Sequence, residues 1–158
     1  MAQFKVETRA AGVDAYLSEL YDGPVRLRDM LARLGYDADA IETLHTQHLA
    51  ALVERVVAGI GVQYLEEPDG ERMLYLMTRR YGLDGAPPWS WLQFSNALEI
   101  SRNRTRQLTT TATRRRKRPQ DLARLESDVR MAADRCLGLV EANEPAGEDD
   151  EERWGSNA

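Results

Sequence analysis

Arg80-Tyr81-Gly82-Leu83-Asp84-Gly85-Ala86-Pro87-Pro88 is the stretch that decides the fold, together with Ser101-Arg102-Asn103-Arg104-Thr105-Arg106-Gln107-Leu108 downstream of it. The first ends an apolar helical run on a glycine and enters a turn stiffened by two prolines. The second opens on a serine suited to cap a helix, and the residues behind it are strongly basic. Between them, residues 90–98 read as a short helix capped by Ser90, and Glu99-Ile100 reads as the turn. Helix, short turn and basic helix is the order of parts in a helix-turn-helix reader of DNA, whose second helix lies in the major groove.

Outward from this unit the chain reads as helices throughout, with no β alternation and no repeat. Upstream, residues 12–21 carry Val13, Tyr16, Leu17 and Leu20 on one face, after a start without clear periodicity. Residues 25–34 carry Leu27, Met30, Leu31 and Leu34, with Gly35 placed to end them. Asp37 or Asp39 caps a longer helix to about Ile60, buried through Ile41, Leu44, Leu52, Val53, Val56, Val57 and Ile60 and extendable through Leu65. Pro68-Asp69-Gly70 is a turn, and residues 71–81 bury Met73, Leu74, Met77 and Tyr81 before Gly82 closes that helix. Downstream, Pro119 suits the first turn of a last helix reaching about Ala142. Leu122, Leu125, Val129, Ala132, Cys136, Leu139 and Val140 form its apolar seam, which either docks on residues 13–34 or pairs with a second chain as a homodimer. The expectation is an all-α protein with an N-terminal helical extension (1–36), a helix-turn-helix domain (37–118), a C-terminal amphipathic helix (119–142) and an acidic disordered tail (143–158).

The net charge of −5 over 158 residues hides a segregated pattern. Residues 101–119 hold seven arginines, one lysine and no acid, whereas Glu148, Asp149, Asp150, Glu151 and Glu152 crowd the tail. A basic block inside an acidic chain points to a local polyanion site, and the tail is placed to mask residues 114–118 by imitating phosphate. A single cysteine, Cys136, precludes an internal disulfide. It reads as a buried small hydrophobe. With no apolar run near bilayer length and no signal-peptide pattern at the start, the expected location is the cytoplasm and no membrane partner is expected.

A helix entering the major groove needs hydrogen-bonding side chains in its first two turns and cations for phosphate around them. Arg102, Asn103, Arg106 and Gln107 share one face at helical spacing and supply the first set. Arginine suits guanine bidentately, and asparagine and glutamine suit adenine. Ser101, Arg104, Arg114, Arg115, Arg116, Lys117 and Arg118 supply the phosphate contacts. Trp89, Trp91 and Phe94 cluster just upstream; Trp91, Leu92 and Phe94 cannot all face inward on one short helix, which offers a protein-partner surface. His45 and His48 are three apart, but no further ligand completes a metal site. Gly59-x-Gly61 is too short for a phosphate loop, and no nucleophile-base set stands out, so neither an enzyme nor a cofactor is expected.

Residues 80–85 and 101–108 resemble region 4 of the sigma-70 family, the domain of bacterial initiation factors that reads the upstream promoter element. That family carries Arg-Tyr-Gly-Leu-Asp-Gly, a proline-containing turn, a scaffold helix and Ser-Arg-Glu-Arg-Val-Arg-Gln-Ile. The counterparts are residues 80–85, 90–95 and 101–108, with Ala112 in register, and residues 51–60 resemble the preceding helix. The resemblance implies that Arg102, Asn103, Arg106 and Gln107 read promoter bases, and that residues 50–81 meet the flap of the RNA polymerase β subunit. Asn103 replaces a promoter-reading glutamate, Ser95 a scaffold glycine and Arg116 a buried leucine, and Trp91 with Leu92 makes the scaffold more apolar. Thr105, Thr109, Thr110, Thr111 and Thr113 add β-branched residues that weaken the recognition helix. No segment resembles region 2, the promoter-melting part. The expectation is therefore a transcription regulator that binds promoter DNA, the polymerase flap or both, rather than a complete initiation factor. The alternative is a sigma mimic or adaptor that keeps the fold without base reading.

Overall fold

The structure is a computed structural model in which the backbone is described for residues 2–139 and the side chains for residues 5–139. The acidic tail at 143–158, together with Val140, lies outside the described residues. Among the described residues the protein is all-α, with eight helices and no strand: α1 (Ala2–Leu20), α2 (Leu27–Arg33), α3 (Ala38–Gln47), α4 (Leu49–Leu65), α5 (Gly70–Tyr81), α6 (Trp91–Leu98), α7 (Arg102–Arg115) and α8 (Pro119–Cys136).

α4 is the axis of the bundle, and α1, α3, α5 and α8 all lie against it. Its Leu52, Val53, Val56, Ile60 and Tyr64 are buried. One apolar cluster takes in residues of every helix from Val13 in α1 to Ala133 in α8, so the boundaries drawn at 36/37 and 118/119 do not separate cores. α1 begins well before residue 12 as a single 19-residue helix. It reaches α5 at Gly12, where a β-carbon would stand 2.1 Å from the Tyr81 carbonyl oxygen; only glycine allows the two backbones so close.

The helix expected from Asp37 to Ile60 is two helices. Asp37 does cap the first, accepting from Ala40 N at 2.8 Å. The rod breaks at His48, whose φ of −132° and ψ of 16° lie outside the helical region. No glycine or proline marks the break. α3 leans on α2 while α4 turns to serve α1, α5 and α8, and one straight helix could not bury both stripes.

α8 keeps its expected start at Pro119, and its seam (Leu125, Val129, Ala132 and Ala133) is buried mainly against α4, with α2 alongside. The expected docking on residues 13–34 is thus only part of the contact. Polar straps hold the helix in register: Tyr21 Oη donates to Glu126 at 2.8 Å, Tyr36 Oη donates to Asp134, and Arg130 donates to the Leu34 carbonyl at 2.9 Å. Leu139, counted in the seam, is 66% exposed, because α8 ends at Cys136 and Gly138 (φ 73°) turns the chain away.

Candidate nucleic-acid interface

Local hydrogen bonds build the α6–turn–α7 unit. Ser90 Oγ accepts from Gln93 N at 3.1 Å and Gln93 Oε1 accepts from Ser90 N at 2.8 Å, a reciprocal capping box that starts α6. Glu99 ends it in the left-handed region at φ 57°. Ser95 Oγ then donates to the Ile100 carbonyl at 2.5 Å, closing the turn from the position where a hydroxyl replaces the resembled family's glycine. Ser101 Oγ accepts from Arg104 N at 3.0 Å and starts α7. Ser101, expected as a phosphate contact, is exposed, and its hydroxyl is engaged in this cap.

The threonines of α7 are mostly its inner face. Thr105, Thr109 and Thr113 are buried with Ala112, against α5 and α6. Their hydroxyls donate to backbone carbonyls one turn back, at 3.0 Å to Ser101, 3.0 Å to Arg106 and 2.8 Å to Thr109. A threonine that back-bonds in this way carries no unsatisfied hydroxyl into the core. Seating small polar residues inward leaves the opposite face to the long side chains. Arg102, Asn103, Arg104, Arg106, Gln107 and Arg114 are all exposed. Asn103, Arg104, Arg106, Gln107, Thr110, Thr111 and Arg114 line a shallow depression of about 470 Å³ along that face. Arg102 lies at its N-terminal margin, outside the lining. Among the described residues, no ion pair involves Arg102, Arg104, Arg106 or Arg114. Arg104 makes only a long 3.4 Å contact to Gln107, and the Arg106 guanidinium lies 5.5 Å from the Trp91 ring centre.

Residues 115–118 are placed differently, which corrects part of the sequence reading. Arg116 is 3% exposed and faces the protein interior. It donates to Glu67 at 2.6 Å and to the Gln63 carbonyl at 3.1 Å, stands 3.6 Å from Asp121 and lies over the Tyr64 ring. It is a structural ion-pair centre and not a phosphate contact. The physical reason is the acid pair Glu67 and Asp121, one just past the end of α4 and the other in the first turn of α8, which converge on the α7–α8 corner and supply counter-charge within the fold. Its hydrogen bond from Arg116 holds the Glu67 carboxyl below the usual range. Arg118 joins Asp121 at 2.7 Å, Arg115 stands 3.8 Å from Glu67, and Lys117 meets Asp22 at 2.8 Å. Of the 114–118 run that the acidic tail was expected to mask, residues 115–118 thus already have acid partners in Glu67, Asp121 and Asp22, whereas Arg114 has none among the described residues.

The aromatic cluster divides as well. Phe94 is fully buried, so it is core and not a partner surface; Trp89 packs edge-on against it at 5.1 Å. Trp91 is half-buried and tilted on Phe94 at 6.1 Å, while Leu92 is 51% exposed. Arg80, at the end of α5, stacks over Trp91 at 4.3 Å. Sequence reading passed over this arginine, although its place in the Arg80-Tyr81-Gly82 stretch was a signal. Upstream, Leu65, Leu74, Tyr75 and Trp89 line a second, more apolar depression of about 420 Å³ between α4, α5 and the 84–89 loop.

His45 Nδ1 lies 3.1 Å from the Ile41 carbonyl, a bond within its own helix. Among the described residues no group of three or more His, Cys, Asp and Glu could hold a metal ion. Cys136 is half-buried at the edge of the core, and burial raises its thiol pKa. No described helix is long and apolar enough to cross a membrane. Compared with family models, curated proteins and solved structures, the chain matches none of them.

Proposed function

We propose that the protein is a helical transcription regulator that binds DNA through the outer face of α7, in the manner expected of a region-4-like helix-turn-helix. In this reading Arg102, Asn103, Arg106 and Gln107 face base edges, while Arg104 and Arg114 take flanking phosphates. The observation that carries it is a single exposed helix face bearing four arginines with no acid partner among the described residues. Such a concentration of unneutralised charge on an otherwise acidic chain is stabilised by a polyanion. A cytoplasmic location accords with that partner. The test is selection from a random-sequence duplex library followed by anisotropy titration. An enriched sequence whose binding Arg106→Ala weakens supports the reading; equal binding by Arg106→Ala at low salt overturns it.

A second reading has its own observation. The apolar depression beside Tyr75 and Trp89, with Val62, Leu65 and Tyr75 each about half exposed, fits a protein partner such as the polymerase flap. Leu92 supplies a further exposed apolar side chain on α6. Capture of RNA polymerase that survives charge removal at Arg102 and Arg106 but is lost in Tyr75→Ala would favour this adaptor reading over DNA binding.

A further inference from the structure

We infer that Trp91 is a positioning residue: its indole holds the Arg106 guanidinium by its face, leaving the nitrogen edge free to take a guanine. The inference rests on the DNA reading above and deepens it to one side chain. Of the exposed arginines on α7, Arg106 lies over an aromatic ring, 5.5 Å from the Trp91 centroid, whereas Arg102 and Arg104 meet none among the described residues.

The platform beneath it is firmly anchored. Trp91 is the first residue of α6, fixed by the Ser90 capping box. Its ring leans on Phe94, which is fully buried and braced in turn by Trp89. Arg80 stacks on the same indole at 4.3 Å, so α5 holds it too. Trp89 N donates to the Arg79 carbonyl at 2.7 Å and closes the connection between α5 and α6. The indole is therefore set against two helices before it meets the third.

A guanidinium stacked through its π-face keeps its N–H donors in the plane, which is the geometry that pairs bidentately with guanine O6 and N7. An unheld arginine must lose several rotatable bonds to reach that pose, and one already stacked loses fewer. A leucine at position 91 would leave a packed scaffold but no π-face, and lysine at position 106 would keep the charge but lose the fork.

Two measurements test this, each with its own meaning. In the DNA-free protein, the Arg106 side-chain Nε–H resonance should carry a ring-current shift that disappears in Trp91→Leu and persists in Trp91→Tyr. An Arg106 signal indifferent to Trp91→Leu would overturn the inference whatever the partner. On a duplex enriched from a random library by the wild-type chain, Trp91→Leu should lose roughly five- to tenfold in affinity, the scale of one cation–π contact. It should lose less than twofold on unselected duplex, and Trp91→Tyr should restore most of the loss. In the Arg106→Ala background Trp91→Leu should add nothing further, which separates positioning from a general loss of fold. Equal losses on both duplexes, or an undiminished effect without Arg106, would overturn the role. If the wild-type chain enriched no sequence, the DNA reading would fail and this role with it, even with the ring-current shift intact.

Discussion

The two ends of the basic stretch carry the same side chains and stand in opposite circumstances. Along residues 102–107, at the start of α7, the arginines are exposed and pair with no acid among the described residues. At 115–118, Glu67, Asp121 and Asp22 take up the charge, and Arg116 is buried. The difference shows that a run of cations in a sequence is not yet a binding surface. What matters is whether the fold brings acids to it, and here the acids come from α4's end, α8's first turn and the end of α1. The near end is an exposed basic face, while the far end is a corner joint between α7 and α8.

The sharpest way to break the comparison is to remove a member from each end. Arg116→Ala should destabilise the protein by about 3 kcal/mol, the low end for breaking a buried pair, because Arg115 and Arg118 remain beside Glu67 and Asp121. Urea unfolding followed by circular dichroism measures it, and a change below about 1 kcal/mol would mean the corner is not held by that charge. Arg106→Ala should do the reverse: stability within ~0.5 kcal/mol of wild type, and a loss of ~1–3 kcal/mol on the selected duplex, concentrated at one base pair.

Salt dependence sharpens the contrast further. Arg104→Gln and Arg114→Gln should each lower the slope of log affinity against log salt by ~0.9, the value for one phosphate contact, and Arg118→Gln should leave it unchanged. Equal slopes for all three would dissolve the distinction between the two ends. The smallest effect is on pH. Arg116 holds the Glu67 carboxyl below its ordinary value, so that contribution to stability is complete above the usual ~4.3. It is lost as pH falls through the folded value. The acid limb of the stability profile should flatten in Glu67→Gln, and an unchanged limb would remove Glu67 from the account.

How much of this was legible in the sequence follows the range of the interaction. The caps at Ser90 and Ser101, the left-handed Gly82, the start at Pro119 and the cap at Asp37, one of the two candidates there, are all short-range, formed within a turn of the residue that signals them. The break at His48 was invisible because it serves packing on α2, α1 and α8, which no nearby residue announces. Phe94 and Arg116 were misplaced for a related reason. Spacing says which residues share a face, but not which way a short helix turns or whether a distant carboxylate waits beneath a guanidinium. Asp121, three residues beyond Arg118, was a local hint of that corner, as was the buried leucine that Arg116 replaces in the resembled family. The threonines of α7 looked like a weakness in the helix, yet three of them proved to be its inward surface, with hydroxyls satisfied by their own backbone.

If the outer face of α7 reads DNA as proposed, its shortness bears on how the protein would find its address. The outward side chains from Arg102 to Gln107 span less than two turns, ~9 Å of helix at 1.5 Å per residue. That covers about three base pairs at 3.4 Å each. A word of that length recurs throughout any genome, so one copy reading alone would linger nowhere in particular. The second foothold, whether a neighbouring copy or a larger machine gripping the apolar hollow by Tyr75 and Trp89, would then decide where on the chromosome the protein acts, leaving the arginines to confirm the spot.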